Sequence, residues 1–213
     1  MLDKKYIRNV PLPEGLTYGA IFDALKNTQD FFTMIRTSAK IVLSSIIQTN
    51  NFSGAVSNVF TKKIDEISPY KSFHDQRYPD LKNPNNNIGL EVKASNKPMK
   101  GGEGHNGHSG WHIIICYELL ENGDIEFTQA ELANLIGYEK GELSDWKYQG
   151  SQRNINNSQR TETYITTRIG TAKLRDGTVY LNDDKVEISN RLQSSRESLI
   201  NIHPIPKYSP FSK

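Results

Sequence analysis

Apolar residues recur at three- and four-residue steps over residues 17–50, where Phe31, Ile35, Ala39, Val42, Leu43, Ile46 and Ile47 share one face and predict an amphipathic helix. Asn50-Asn51 breaks it, and a second helix is expected over residues 53–67 with Val56, Val59, Phe60, Ile64 and Ile67 inward. The period then changes. Residues 70–79 predict a short polar strand, and residues 88–94 alternate, with Leu90 and Val92 on one face and Glu91 and Lys93 on the other. Residues 111–118 (WHIIICYE) read as a further strand, and Asn122-Gly123-Asp124 as a turn. Thr128 and Glu131 are spaced as a capping box opening a helix, whose Leu132, Leu135 and Ile136 would pack on the sheet. Residues 161–169 alternate as a strand, Asp176-Gly177 marks a hairpin turn into 178–181, and Ile188, Leu192 and Leu199 predict a last helix. Residues 1–16 read as an arm lying on the domain or on a partner, and the proline-bearing tail from His203 as an extended segment suited to wrapping a partner. The pattern predicts an α/β (α+β) fold, a mixed central sheet flanked by helices. All 213 residues form one domain, with N-terminal helices at 17–67 and a sheet at 70–118.

Composition narrows this picture modestly. The chain has 213 residues, 36% hydrophobic and 23% charged, enough for a substantial core. A net charge of +2 excludes a histone-like polycation. Cys116 is the single cysteine, so no internal disulfide forms, which fits a reducing compartment. No apolar run approaches the roughly 20 residues of a membrane span, and the N-terminus lacks a signal-peptide core; a cytoplasmic protein is expected. The phosphate-binding pattern GxxxxGK[ST] is absent, which argues against ATP-driven chemistry.

Candidate chemistry gathers in residues 78–95, YPDLKNPNNNIGLEVKAS. Asp80 follows Pro79 and precedes an Asn- and Pro-rich turn at 82–87; folding of that turn would set Asp80 beside Glu91 and Lys93. Two hard carboxylates suit Mg²⁺, which keeps several waters and takes phosphate oxygens, and a neighbouring lysine can orient the attacking water. The order P-D, ten residues, E-x-K resembles the PD-(D/E)XK nuclease superfamily, and within it the small type II restriction endonucleases. The resemblance implies a restriction-endonuclease-like sheet and sequence-specific, Mg²⁺-dependent hydrolysis of double-stranded DNA, with Mn²⁺ able to substitute. It assigns Asp80, Glu91 and Lys93 as catalytic, with the metal held by Asp80, Glu91 and the Val92 carbonyl. An acidic residue on the preceding helix sometimes joins such sites, which marks Glu66, although Asp65 and Glu66 read more readily as solvated helix charges. One site per chain favours a homodimer on symmetric DNA, and a restriction enzyme requires a cognate DNA methyltransferase as its genetic partner. A repair or recombination nuclease that reads DNA structure would share the same site.

Three further stretches bear on DNA. The loop at 96–110, NKPMKGGEGHNGHSG, combines glycines with Lys97, Lys100, His105 and His108; it reads as a DNA-contacting loop or as a plain connector. His105, His108, His112 and Cys116 lack the compact cysteine pairs of structural zinc, and Cys116 reads as core. His105 or His108 as general base is an alternative nuclease chemistry. Residues 128–146 resemble the helix-turn-helix of phage-repressor-like regulators at Thr128, Gln129, Glu131, Leu132, Ala133, Leu135, Gly137, Ser144 and Trp146, which raises a DNA-binding regulator without catalysis as the rival; a sheet-packing helix fits the flanking segments better. Across 147–175, six basic residues face only Glu162. Lys147, Tyr148, Gln149, Ser151, Gln152, Arg153, Asn154, Asn156, Asn157, Arg160, Arg168 and Lys173 supply the side-chain types that read base edges and hold phosphates. A solvated polar loop is the plain alternative.

Overall fold

The computed structural model describes residues 2–73, 78–104, 107–150 and 163–212. Helix α1 (Tyr18–Met34) starts on Thr17, whose hydroxyl accepts from the Ala20 N–H at 3.1 Å. It passes through a π-turn (Ile35–Ala39) and a one-turn helix α2 (Leu43–Ile46) into α3 (Thr49–Ile67). The first helix is therefore shorter than its periodicity predicts. Its core face is Ile21, Phe22, Leu25, Thr28 and Phe32, whereas Ile46 is 70% exposed. The break falls at Lys40, in the left-handed region, and Asn50-Asn51 lie inside α3. Val56, Phe60 and Ile64 are buried as expected, and Ile67 is exposed.

Six strands form the central sheet in the order β1 (Lys71–Ser72), β2 (Leu81–Lys82), β3 (Gly89–Ser95), β5 (Gly110–Leu119), β6 (Ile125–Leu135) and β9 (Thr178–Leu181). Only the β3–β5 pair is parallel, so the sheet is mixed and mostly antiparallel, an α+β arrangement. A smaller sheet joins β4 (Glu103–Gly104), β8 (Tyr164–Thr166) and β7 (Trp146–Tyr148). The helices α4 (Arg168–Asp176) and α5 (Asn190–Glu197) complete the described elements. One sheet face carries Leu90, Val92, Ile113, Ile115 and Phe127, which bury against α1 and α3 in the main core. The other carries Ile114, Cys116, Ala133 and Leu135, covered by Trp146, Tyr164 and Leu174.

The largest departure from the sequence reading is residues 125–135. They form a strand, not a helix, and Thr128 caps nothing: its hydroxyl donates to the Cys116 carbonyl at 3.4 Å. The cause is tertiary. The turn at 122–124 returns the chain antiparallel to β5 over ten pairs, and both faces of β6 are covered. A strand buried on both sides loses its period-2 signature. The helix-turn-helix resemblance at 128–146 falls with it, since strand, 3₁₀ turn (Tyr138–Leu143) and strand replace the two helices.

Three smaller corrections follow the same logic. The expected strand over 70–79 is Lys71–Ser72 alone among the described residues. The strand expected over 161–169 stops at Thr166, because Thr167 caps α4 by accepting from the Gly170 N–H at 3.1 Å. Gly177 ends α4 where any side chain would collide with the Leu132 carbonyl, so it is a helix stop rather than a hairpin turn. Both chain ends pack on the domain itself. Arg8 N–H donates to Val179 O at 2.9 Å with Tyr6, Val10 and Leu16 buried. The tail buries Phe211 against Met99, Leu181 and Val186. Among the described residues no helix is long and apolar enough to cross a membrane.

Candidate active site

β3 presents its two faces as the alternation requires: Leu90 and Val92 are buried in the core, while Glu91 and Lys93 emerge on the opposite side, partly covered. Asp80 arrives from the segment leading into β2, antiparallel to β3. Two contacts lock it there. The Val92 N–H donates to Asp80 Oδ2 at 2.8 Å, and the Asp80 N–H donates to Glu91 Oε2 at 3.2 Å. Gly89 makes the approach possible, since any β-carbon there would collide with the Pro79 ring. The Lys93 ammonium closes on Glu91 Oε1. Asp80, Glu91 and Lys93, separated by eleven and two positions in sequence, thus converge on one spot.

The electrostatics of that spot are unbalanced. Burial, and after it the adjacent Glu91 charge, push the Asp80 carboxyl above its ordinary range; the Val92 N–H and Lys93 pull the other way without cancelling the rise. Two carboxylates held together against their own repulsion, with one ammonium paired to Glu91, form a site that a divalent cation would relax. Among the described residues no cluster of three or more His, Cys, Asp or Glu side chains is placed to hold a metal. Asp80 and Glu91 are the two carboxylates brought together here, and a pair suits Mg²⁺, which usually takes one or two carboxylates and keeps its waters. The residues present fit that ion. Glu66 is committed elsewhere, accepting from Lys63 at 2.9 Å on the exposed side of α3.

The surrounding wall was not legible in the sequence. The parallel register sets His112 beside Glu91 and Ile114 beside Lys93. His112 is 5% exposed, packs 5.2 Å from the Trp146 ring, and shares a hydrogen bond of 2.9 Å between Nδ1 and Gly110 O. Burial above all holds its pKa down to about 4, so it is neutral near pH 7. Tyr78 stacks on His108 at 4.2 Å and donates to Ser109 O at 2.6 Å. Burial, with Glu91, Glu139 and Asp80 nearby, raises its pKa, and it stays protonated. The signal for His112 was its place in the WHIIICYE alternation; the pairing that aligns it with Glu91 is non-local.

The proposed DNA contacts separate into groups. Lys97 and Lys100 are exposed on the loop leaving β3, and half-buried His108 lies against Tyr78. Lys147, Tyr148 and Gln149 are exposed at the start of the β7–β8 connection, with the Gln149 N–H donating to Thr163 O at 3.0 Å. Arg168 is exposed at the start of α4. Lys173 is drawn into an ion pair of 2.6 Å with buried Asp145, which makes it a tether of α4. His105, Ser151, Gln152, Arg153, Asn154, Asn156, Asn157 and Arg160 lie outside the described residues. Compared with known proteins, the chain matches no family model, no curated protein and no solved structure.

Proposed function

We propose that this chain is a Mg²⁺-dependent endonuclease that hydrolyses phosphodiester bonds of double-stranded DNA at a specific sequence, in the manner of a type II restriction enzyme. One observation carries the reading. A Glu-x-Lys pair on a strand is commonplace, but here a second carboxylate, Asp80, is brought from a different segment to the same point and held against Glu91 by two backbone hydrogen bonds. Folding stability alone gives no reason to bring like charges together.

Asp80 and Glu91 would hold the ion, with the Val92 carbonyl as the resemblance implies. Bound Mg²⁺ would supply positive charge at the scissile phosphate and a more acidic water. The chain's own residues do the rest. The Val92 N–H fixes the Asp80 carboxylate, and Glu91 fixes the Lys93 ammonium, so neither group must reorganise as charge develops. Lys93 orients the attacking water and stabilises the negative charge growing on the phosphorus oxygens. Neutral His112 with Trp146 walls the rear of the site against water and adds no competing charge. The exposed 147–149 segment and the connection that follows it are the sequence-reading region. A homodimer would place two sites on a symmetric duplex. The protein would work in the cytoplasm beside a protective DNA methyltransferase.

The deciding experiment is a plasmid digest by purified protein in Mg²⁺, beside EDTA and Lys93→Ala controls. Discrete bands lost in both controls are expected. A smear lost in both would keep the site and remove sequence specificity, leaving a structure-reading nuclease. An intact plasmid in every lane would overturn the proposal.

A further inference from the structure

We propose that the cleft between α4 and α5 is a binding site for a phosphoryl group. The cleft has a volume of about 270 Å³ and lies between one face of α4 and the facing side of α5, with Lys100 of the loop after β3 at its rim. Arg168, Thr171 and Arg175 follow helical spacing along α4, so they line the cleft from one stripe. Thr166 and Ser195 add hydroxyls from the end of β8 and from α5. No carboxylate lines it among the described residues.

Two of the arginines there are held by neutral partners. Arg168 donates to the Ser198 hydroxyl at 2.7 Å, and Arg175 donates to the Met99 carbonyl from Nε at 2.8 Å and again from Nη2. Neither contact cancels a charge. Arg196 also borders the cleft, but Asp176 takes its charge in a buried pair at 2.8 Å. Glu131, the carboxyl that Arg175 feels most, sits fully buried in the sheet with Oε2 unpartnered among the described residues, and its pKa rises to about 7.

A concave site with Arg168 and Arg175, the Thr171 and Ser195 hydroxyls and the positive end of α4 is chemically matched to a tetrahedral oxyanion. The cleft is large enough to admit a phosphate group. The Thr166 hydroxyl meets the Thr171 hydroxyl at 2.8 Å and also the Gly102 backbone, so it supports Thr171 at the cleft wall. The inference does not rest on the nuclease reading. A phosphate of a DNA backbone and a free phosphate or phosphomonoester offer the same chemistry.

The test is calorimetric titration of the full chain with inorganic phosphate in EDTA, with chloride holding ionic strength constant. Saturable binding is expected for the wild type and for a Lys26→Gln control on the distant surface of α1. Affinity should fall about tenfold or more in Arg168→Gln, with a smaller loss in Thr171→Val. Arg168 is exposed, so its variant should fold; circular dichroism checks this, and Thr171→Val supplies an independent reading. Absent binding in the wild type, or equal binding in both variants, would overturn the proposal. With phosphate binding established, a short duplex without terminal phosphates separates the sources. A salt dependence of duplex binding that falls by about one unit in Arg168→Gln identifies a backbone phosphate. An unchanged one identifies a free phosphate or monoester. The plasmid digest stands or falls separately from all of these outcomes.

Discussion

Asp176, at the end of α4, and Asp80, beside β3, are both carboxylates taken partly or wholly out of water, and the chain treats them oppositely. Asp176 is 1% exposed and saturated with donors: Arg196 bridges it at 2.8 and 2.9 Å, and the Ser209 hydroxyl donates at 2.7 Å. Arg196 in turn donates to His203 O and Pro204 O, so the pair gathers α4, α5 and the tail. Asp80 has a single backbone donor, the Val92 N–H, and faces Glu91. One site is complete within the chain, and the other is left in want of positive charge. A buried ionic cluster whose charges all close internally fastens a fold; one that does not is a place to look for a ligand.

The contrast breaks cleanly by mutation. At the incomplete site, Lys93→Ala or Glu91→Ala should lower Mg²⁺-dependent DNA cleavage on the order of 10³-fold, equivalent to about 4 kcal/mol of transition-state stabilisation. Thermal melting should scarcely move. At the complete site, Asp176→Ala leaves Arg196 buried without its partner and should cost about 3–5 kcal/mol of stability by chemical denaturation. A Lys93→Ala protein that unfolds, or an Asp176→Ala protein as stable as wild type, would remove the distinction.

Legibility in the sequence divides along a related line. The Glu91–Lys93 face of β3 was readable because alternation is local, and Asp80 because the turn at 82–87 is short. The β6 strand was not. Leu132, Leu135 and Ile136 have helical spacing, and what overrides it is pairing with β5 together with cover from α1 on one side and α4 on the other, contacts far apart in sequence. The same holds for α1, where Phe31 to Ile47 offered a plausible apolar stripe. The core takes Ile21, Phe22, Leu25 and Phe32 instead, because the chain leaves the helix at the π-turn after Met34. His112 was visible as a strand residue, but its place beside Glu91 depends on a parallel register that no local pattern encodes. Arg196 and Asp176 meet across 20 residues, and nothing in either's neighbourhood announces the pair.

Glu131 lies between the two extremes and sharpens them. It accepts from Gln129 at 3.0 Å, feels Arg175, and is otherwise buried without a partner at Oε2, so burial raises its carboxyl to about 7 from an ordinary 4.5. The folded state therefore holds the Glu131 proton more tightly than the unfolded chain does. Its contribution is favourable below about pH 4.5 and is lost as pH rises through about 7. Glu131→Gln should flatten that dependence and, above pH 7, stabilise the fold by up to about 3 kcal/mol. Parallel denaturant titrations across this pH window decide it; curves of equal slope for both proteins would show that Arg175 keeps Glu131 ionised throughout.

The smallest expected effect is the most discriminating for Asp80. Asparagine keeps an oxygen to accept the Val92 N–H and removes the charge that burial and Glu91 disfavour. Asp80→Asn should therefore stabilise the metal-free protein at neutral pH by about 1 kcal/mol or less, while abolishing cleavage. A carboxylate that served the fold would give the opposite sign, as Asp176 should. Added Mg²⁺ carries the comparison one step further. It should raise the melting temperature of the wild type, through binding to the native state alone, and leave Asp80→Asn unmoved. Equal shifts in the two proteins would place any Mg²⁺ effect away from Asp80, and the incomplete carboxylate site would then have no cation to complete it.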